Sequence, residues 1–430
     1  MKLRILALLL ALVMCLSACG SNTSSSSSTP SSGSTSGEVE YTIPQEAEED
    51  VVAYLTDGAY NKDSVVATVG DTQVTAGQVL YWIAYQQYNL NYYYYSNYGY
   101  ILDMAQDYGD GTSVGDSLYK FGVETALAYA VGNQKAKDMG LELSAEDAAA
   151  LATLTEDNEA YYGETRWKAY VENGLIDEKE FSEEEKAQWM ATEGKQFYNH
   201  SMMFYATTPE AYAGLIGDYY HFALVQEKIF GEGGEFEITE DVVNAHLDEL
   251  IESDGLCWAR CILFSTMELE KGADDSEIKA AAEAAYATLS ALEGEARSEK
   301  FTVLQTQHDE SGYTAGEVQL YSNSDSLVDG YYEGVQALKP GEISLVHTDY
   351  GYFILLREED NREDVYDSAA DDYMSAKYDE LIAQWSKDYG VTEITLPELD
   401  LTVFYERLAS LQDALSVVDN IETAKTDSTK

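Results

Sequence analysis

From residue 64 onward the apolar positions along the chain follow one period and then another. Val65 to Val69 is a β-rich run closed by Gly70-Asp71, which predicts a strand and a turn. Thr75 stands where a helix N-cap belongs, ahead of apolar positions at Tyr81, Ile83 and Leu90. A second long helix is predicted over 117–139, stopped by Gly140, a residue suited to the left-handed position after a helix. Ser144 with Asp147 three positions on is a capping-box variant that opens a third. Further helices are predicted over 164–171, 177–189 and 209–230, and Thr239 caps one that ends near Glu252. Residues 64–252 therefore read as mainly helical.

The pattern changes at Cys257. Cys257 to Phe264 is an apolar run broken only by Arg260, which predicts a strand. A helix over 275–293, a loop over 308–316, a short helix over 329–338, the turn Lys339-Pro340-Gly341-Glu342 and a strand from Tyr352 to Leu356 follow. This order predicts a separate small α/β domain over 253–361. Two helices, over 366–389 and 401–418, make up the segment 362–418, and 419–430 reads as a disordered tail.

Ahead of the first strand the chain is of a different kind. Lys2 and Arg4 precede an apolar stretch from Ile5 to Leu16, shorter than the roughly 20 residues a membrane-spanning helix needs. Residues 1–18 thus read as a secretory signal, and Leu16-Ser17-Ala18-Cys19 resembles a bacterial lipobox, in which Cys19 becomes the lipidated first residue. Ser, Thr and Gly dominate 20–37 and acidic residues follow, so 19–63 reads as a flexible tether with a reach of roughly 25 Å in its Ser-rich part. The expected location is the outer face of a cell membrane, held by lipid alone.

The formal charge of −53 excludes nucleic acid and anionic lipid surfaces as partners, since that field repels both. With no Asp-x-Asp-x-Asp-Gly loop, the acidity reads as solubility rather than calcium binding, and neither a metal nor a cofactor is expected. Of the four cysteines, Cys257 and Cys261 lie beyond the N-terminal segment. On one strand they are about 13 Å apart, outside disulfide reach. Nine tyrosines fall between Tyr81 and Tyr100, and the run Tyr92 to Tyr95 cannot be buried on one helical face. Rigid, amphipathic tyrosine suits a contact surface, so this segment is a candidate for binding other polypeptides.

Ala259-Arg260-Cys261-Ile262-Leu263-Phe264, Phe301-x-x-Leu304, Leu338-Lys339-Pro340-Gly341-Glu342-Ile343-Ser344 and Thr348-Asp349-Tyr350-Gly351-Tyr352-Phe353-Ile354 together resemble the parvulin family of peptidyl-prolyl isomerases. Val66-Ala67-Thr68-Val69-Gly70-Asp71 with Val74-Thr75 resembles the N-terminal segment of extracytoplasmic foldases of the PrsA and SurA type. The resemblance implies an α+β fold: a mainly helical chaperone domain built from N- and C-terminal segments, with a small α/β parvulin-like domain inserted. It implies unfolded or proline-containing secreted polypeptides as partners.

The chain departs from that family at its chemistry. The family's catalytic His, Cys or Asp, and second His fall on Cys261, Ser311 and Phe353, and its proline pocket on Leu327 and Tyr331. Thr348 is retained, and the usual doubled glycine is reduced to Gly316. Removing one member of a buried hydrogen-bonded pair strands the other at about 1–3 kcal/mol, whereas replacing both is nearly neutral. Cys261 and Phe353 fit such a joint replacement, which predicts a surviving fold with weak or absent catalysis. Two alternatives stand beside that reading: an active isomerase with an altered site, and a surface scaffold or adhesion lipoprotein. His308 and His347 flank the site and are expected at the surface.

Overall fold

A computed structural model of the chain describes residues 42–107, 111–269, 273–323, 325 and 327–420. The signal segment 1–18, the lipidation site Cys19, most of the tether and residues 421–430 of the tail lie outside the described residues. The fold is α+β. The chain divides into two compact units, one reaching to Lys228 and resuming at Glu380, the other spanning Ile229–Asp379.

Among the described residues the first unit opens with two short helices, α1 (Gln45–Glu49) and α2 (Val51–Leu55). They fall inside the span 19–63 read as tether, which is therefore too long. Val51, Val52 and Leu55 are at most 1% exposed, and the Asp50 carboxylate caps α2 at Ala53 N and also accepts from Lys62 N. The sequence hides this element because its apolar run is only five residues long and sits among acids. Strands β1 (Val65–Val69) and β2 (Thr72–Thr75) form an antiparallel hairpin, turned at Gly70 with φ +57°.

Thr75 caps the next helix, α3 (Ala76–Tyr98), and Gln78 reaches back to the Thr75 N–H. The same device places two other starts. Ser113 with Asp116 begins α4 (Val114–Asp138) earlier than the pattern suggested, and Ser182 with Glu185 begins α6 (Glu183–Met203). Between them α5 (Ala145–Glu172) is one continuous helix, joining the helix opened at Ser144 with the separate one expected over 164–171. Its Ala- and Glu-rich sequence favours helix without an apolar stripe. Helix α7 (Pro209–Phe230) completes the series.

The core of this unit is aromatic: Tyr81, Tyr162, Tyr198, Met202, Tyr205, Tyr212, Leu215 and Ile216 are buried together. Helices α5 and α6 touch backbone to backbone, because Gly163 and Gly194 face each other. Helix α13 (Leu401–Val418) packs back against α2. Arg407 donates to Asp57 and to the Tyr54 carbonyl, while Tyr405 Oη donates to Gly115 O at 2.9 Å. Asp419, read as part of the tail, is fixed: its carboxylate lies 2.9 Å from His200 Nδ1 and its carbonyl accepts from Arg166.

The second unit is wider than 253–361. Helix α8 (Glu240–Ser253) buries Val243 and Leu247 against Ala369 of α12 (Tyr366–Tyr389), so flanking helices join it. Its sheet is antiparallel in the order β4 (Gln319–Tyr321), β3 (Cys257–Ser265), β6 (Gly351–Arg357), β5 (Ile343–Thr348). Helices α9 (Ser276–Ser290) and α10 (Gly294–His308) cover one face and α11 (Tyr331–Gln336) the other.

Candidate functional site

The period of two along β3 sorts its side chains. Ile262 and Phe264 point toward α9 and α10, where they pack with Ala282, Leu289, Phe301 and Leu304. Arg260 shares that side: its guanidinium lies over the Phe301 ring and donates to Glu358, Thr302 and Ser298. Cys257, Ala259, Cys261 and Leu263 take the opposite face, together with Tyr321, Tyr331, Val335, Phe353 and Leu355. In the β3–β6 register Leu263 pairs with Phe353 and Cys261 with Leu355, which brings side by side two of the three positions that the parvulin resemblance implied.

That face is packed with the chain's own rings. Cys261, Tyr321, Tyr331 and Phe353 are 1%, 4%, 4% and 6% exposed. Tyr331 meets Phe353 edge to face, with ring centroids 4.9 Å apart, and meets Tyr321 at 5.4 Å. The two tyrosine hydroxyls are hydrogen-bonded at 2.9 Å. Leu327 is half-buried against the same cluster. Thus Cys261, Phe353, Tyr331 and Leu327 do come together, but the rings assigned to holding a proline pack on one another.

Ser311 joins from the loop after α10. Its Oγ donates to Asp309 Oδ2 at 2.6 Å, and the other carboxylate oxygen of Asp309 accepts from Leu263 N at 2.8 Å. Asp309 thereby ties this loop to β3, a role the motif alignment missed; the spacing Asp309-x-Ser311 is the signal for such a turn. Gln305, 2% exposed, makes a second tie by donating to the Cys261 carbonyl and accepting from Gly316 N. Tyr321 was also missed, and its place beside Cys257 in the β3–β4 pairing puts its ring on the site face. Thr348 bonds within the β5–β6 hairpin, donating to Gly351 O and accepting from Tyr350 N. His308 stacks on Phe264 and His347 on Tyr352, both at the surface.

Burial pushes the Cys261 thiol up to about 11, against the pull of hydrogen bonds from Tyr331 and Ser311. Burial likewise pushes Cys257 up to about 11 and holds the Tyr331 and Tyr321 hydroxyls above the usual tyrosine range. At neutral pH the site therefore holds a protonated thiol, protonated phenols, a serine hydroxyl and a phenyl ring. It contains no imidazole to exchange a proton and no thiolate to act as nucleophile. Cys257 and Cys261 are free thiols. In the folded, processed chain near pH 8 both should resist an aromatic disulfide reagent, and two thiols should titrate after denaturation without reductant. Rapid labelling of the native protein would mean that this face opens.

No family model matches the chain, and no curated protein matches it. Solved structures do. A structure from a study of PEB4 and Cj1289, described as SurA-like chaperones of Campylobacter jejuni, is 18% identical with a TM-score of 0.20, over 51% of this chain and 89% of that one. PrsA from Bacillus subtilis is 15% identical with a TM-score of 0.22, over 76% and 92%. A peptidylprolyl isomerase (PrsA) from Bacillus anthracis is 17% identical with a TM-score of 0.20, over 62% and 95%. At such TM-scores the likeness assigns no residue correspondence.

Proposed function

We propose that the protein is an extracytoplasmic foldase, anchored through Cys19, that holds unfolded secreted polypeptides and does little or no prolyl isomerisation. Support for the anchor and the location comes from the lipobox-like Leu16-Ser17-Ala18-Cys19 ahead of a Ser-rich stretch. Support for the foldase reading comes from the parvulin-like series of motifs inserted between helical segments. The observation that carries the loss of catalysis is the packed face of the sheet, where Tyr331, Tyr321 and Phe353 fill the ground around Cys261. Prolyl rotation has a barrier of about 18–20 kcal/mol, and lowering it needs groups that favour the twisted amide over the planar one. A buried thiol and a phenyl ring offer no such preference.

The holding activity is tested with the processed chain and a chemically unfolded secreted protein diluted into buffer. Light scattering should fall as the foldase is added, and Cys19→Ala should leave that effect intact while abolishing lipid incorporation. Unchanged scattering in molar excess would remove the chaperone reading in favour of a scaffold.

A further inference from the structure

Residues 72–102 contain no Asp, Glu, Lys, Arg or His, within a chain of net charge −53. The first half of this stretch is core: Val79, Leu80, Tyr81, Ile83 and Ala84 of α3 are all at most 3% exposed. The second half is not. From Tyr92 the helix runs on beyond its packing partners, and Tyr92, Tyr93, Tyr95, Tyr98 and Tyr100 are 58%, 52%, 55%, 61% and 49% exposed, with Ile101 at 67%. Solvation does not explain such a patch, since single apolar residues scatter over a surface whereas a contiguous group marks an interaction site.

The patch is also built. Tyr93, Tyr94, Tyr98 and Tyr100 pack ring on ring, with centroids 5.5 to 6.2 Å apart. Gly99 ends the helix in the left-handed region at φ +75° and turns Tyr100 back over the cluster. Leu102 N then donates to Asn91 Oδ1, and the Leu102 side chain is buried, which fixes the returning segment. The rings are held in place before anything binds, so little entropy is lost on contact.

The flanking charges select the occupant. The nearest charged residues on either side, Asp63 and Asp71 before and Asp103, Asp107, Asp110 and Asp116 after, are acidic, and along the chain the first cations met are Lys62 and Lys120. Aromatic faces attract cations, and an acidic surround raises the local concentration of cationic partners while repelling acidic ones. A second copy of this chain carries the same sign and is disfavoured, and a neutral glycan gains nothing from the field. Resting on the holding activity proposed above, we infer that the tyrosine tip at the end of α3 is the docking site for extended client segments that carry Arg or Lys among apolar residues.

The test uses the processed chain and three fluorescent peptides of equal apolar content, bearing Arg, Gln or Glu at the same positions. The Arg peptide should bind roughly ten times more tightly than the Gln peptide, weaken as salt is raised, and leave the Glu peptide undetectable. Replacing Tyr93, Tyr98 and Tyr100 together by Ser should reduce Arg-peptide binding by about tenfold or more, while the Tyr→Phe triple keeps it, because the ring face and not the hydroxyl is used. Since these rings are exposed, the melting curve of each variant should match the parent, which separates lost binding from lost folding. Equal affinity for all three peptides, or an unaltered Ser triple, overturns the assignment. So does tip-dependent binding of a neutral oligosaccharide or tip-dependent self-association. If the parent suppresses client aggregation and the Ser triple does so equally, only the tip is wrong; if the parent does not suppress it, the underlying holding activity fails.

Discussion

Gly194→Ala should destabilise the helical unit by about 2–3 kcal/mol, although alanine in the interior of a helix normally gains about 1 kcal/mol over glycine. The reversal comes from the crossing of α5 and α6. A Cβ at Gly194 would sit 2.0 Å from the Glu159 carbonyl oxygen and 2.7 Å from Gly163 N, and one at Gly163 would sit 2.2 Å from the Met190 carbonyl oxygen. These obstacles are backbone, so no rotamer change relieves them and the helices must move apart. Separation would loosen the Arg166–Glu193 pair and the stacking of Tyr162 on Tyr198 beside it. Because the first alanine already opens the crossing, adding Gly163→Ala should cost less than its own single effect. Gly214, exposed within α7 with nothing close to its Cβ position, is the control and should gain up to about 1 kcal/mol on the same change. Thermal unfolding followed by circular dichroism reads all three. A stabilised Gly194→Ala protein would show that α5 and α6 do not touch at this point.

Much of the fold could be read from local pattern, and the misses share a cause. Thr75, Ser144 and Thr239 announce their helices because a cap is a short-range signal. Strands β3 and β6 stand out as near-continuous apolar runs because both their faces are covered. Strands β4 and β5 do not, since one is three residues long and the other mixes Ser, His and Thr with apolar residues at the sheet edge. Helix α10 escaped notice between Gly294 and His308 because its apolar positions, Phe301 and Leu304, are few and were absorbed into a motif. Helix α2 packs against α13, more than 300 positions away in sequence, which no local window can report.

At the candidate site the alignment of motifs found Cys261, Phe353, Tyr331 and Leu327, and the sheet register brings them onto one face. It did not find that Tyr321 would close that face from β4, or that Asp309 would hold the loop to β3. Both depend on pairing between distant segments. Tyr321 matters most, because its hydroxyl satisfies that of Tyr331 inside the cluster. With its polar end paired and its ring against Phe353, Tyr331 has no unmet hydrogen bond to turn toward a substrate. Restoring imidazoles with Cys261→His and Phe353→His would put two polar rings into this apolar packing and break the Tyr331–Phe353 contact. Loss of stability, not gain of activity, is therefore the expected outcome of that pair of changes.

The second large expected effect is an absence of catalysis. A protonated thiol 1% exposed, a phenyl ring where the resemblance puts an imidazole, and two tyrosines bonded to each other are not expected to stabilise a twisted prolyl amide. The most direct measurement is the cis-to-trans relaxation of a proline-containing peptide in the presence of the processed chain. Relaxation should stay in the uncatalysed range of about 10–100 s at 25 °C, with no dependence on protein concentration. A rate that rises in proportion to protein concentration, and that Tyr331→Ala abolishes in a still-folded chain, would contradict the account and make the protein an isomerase with an altered site.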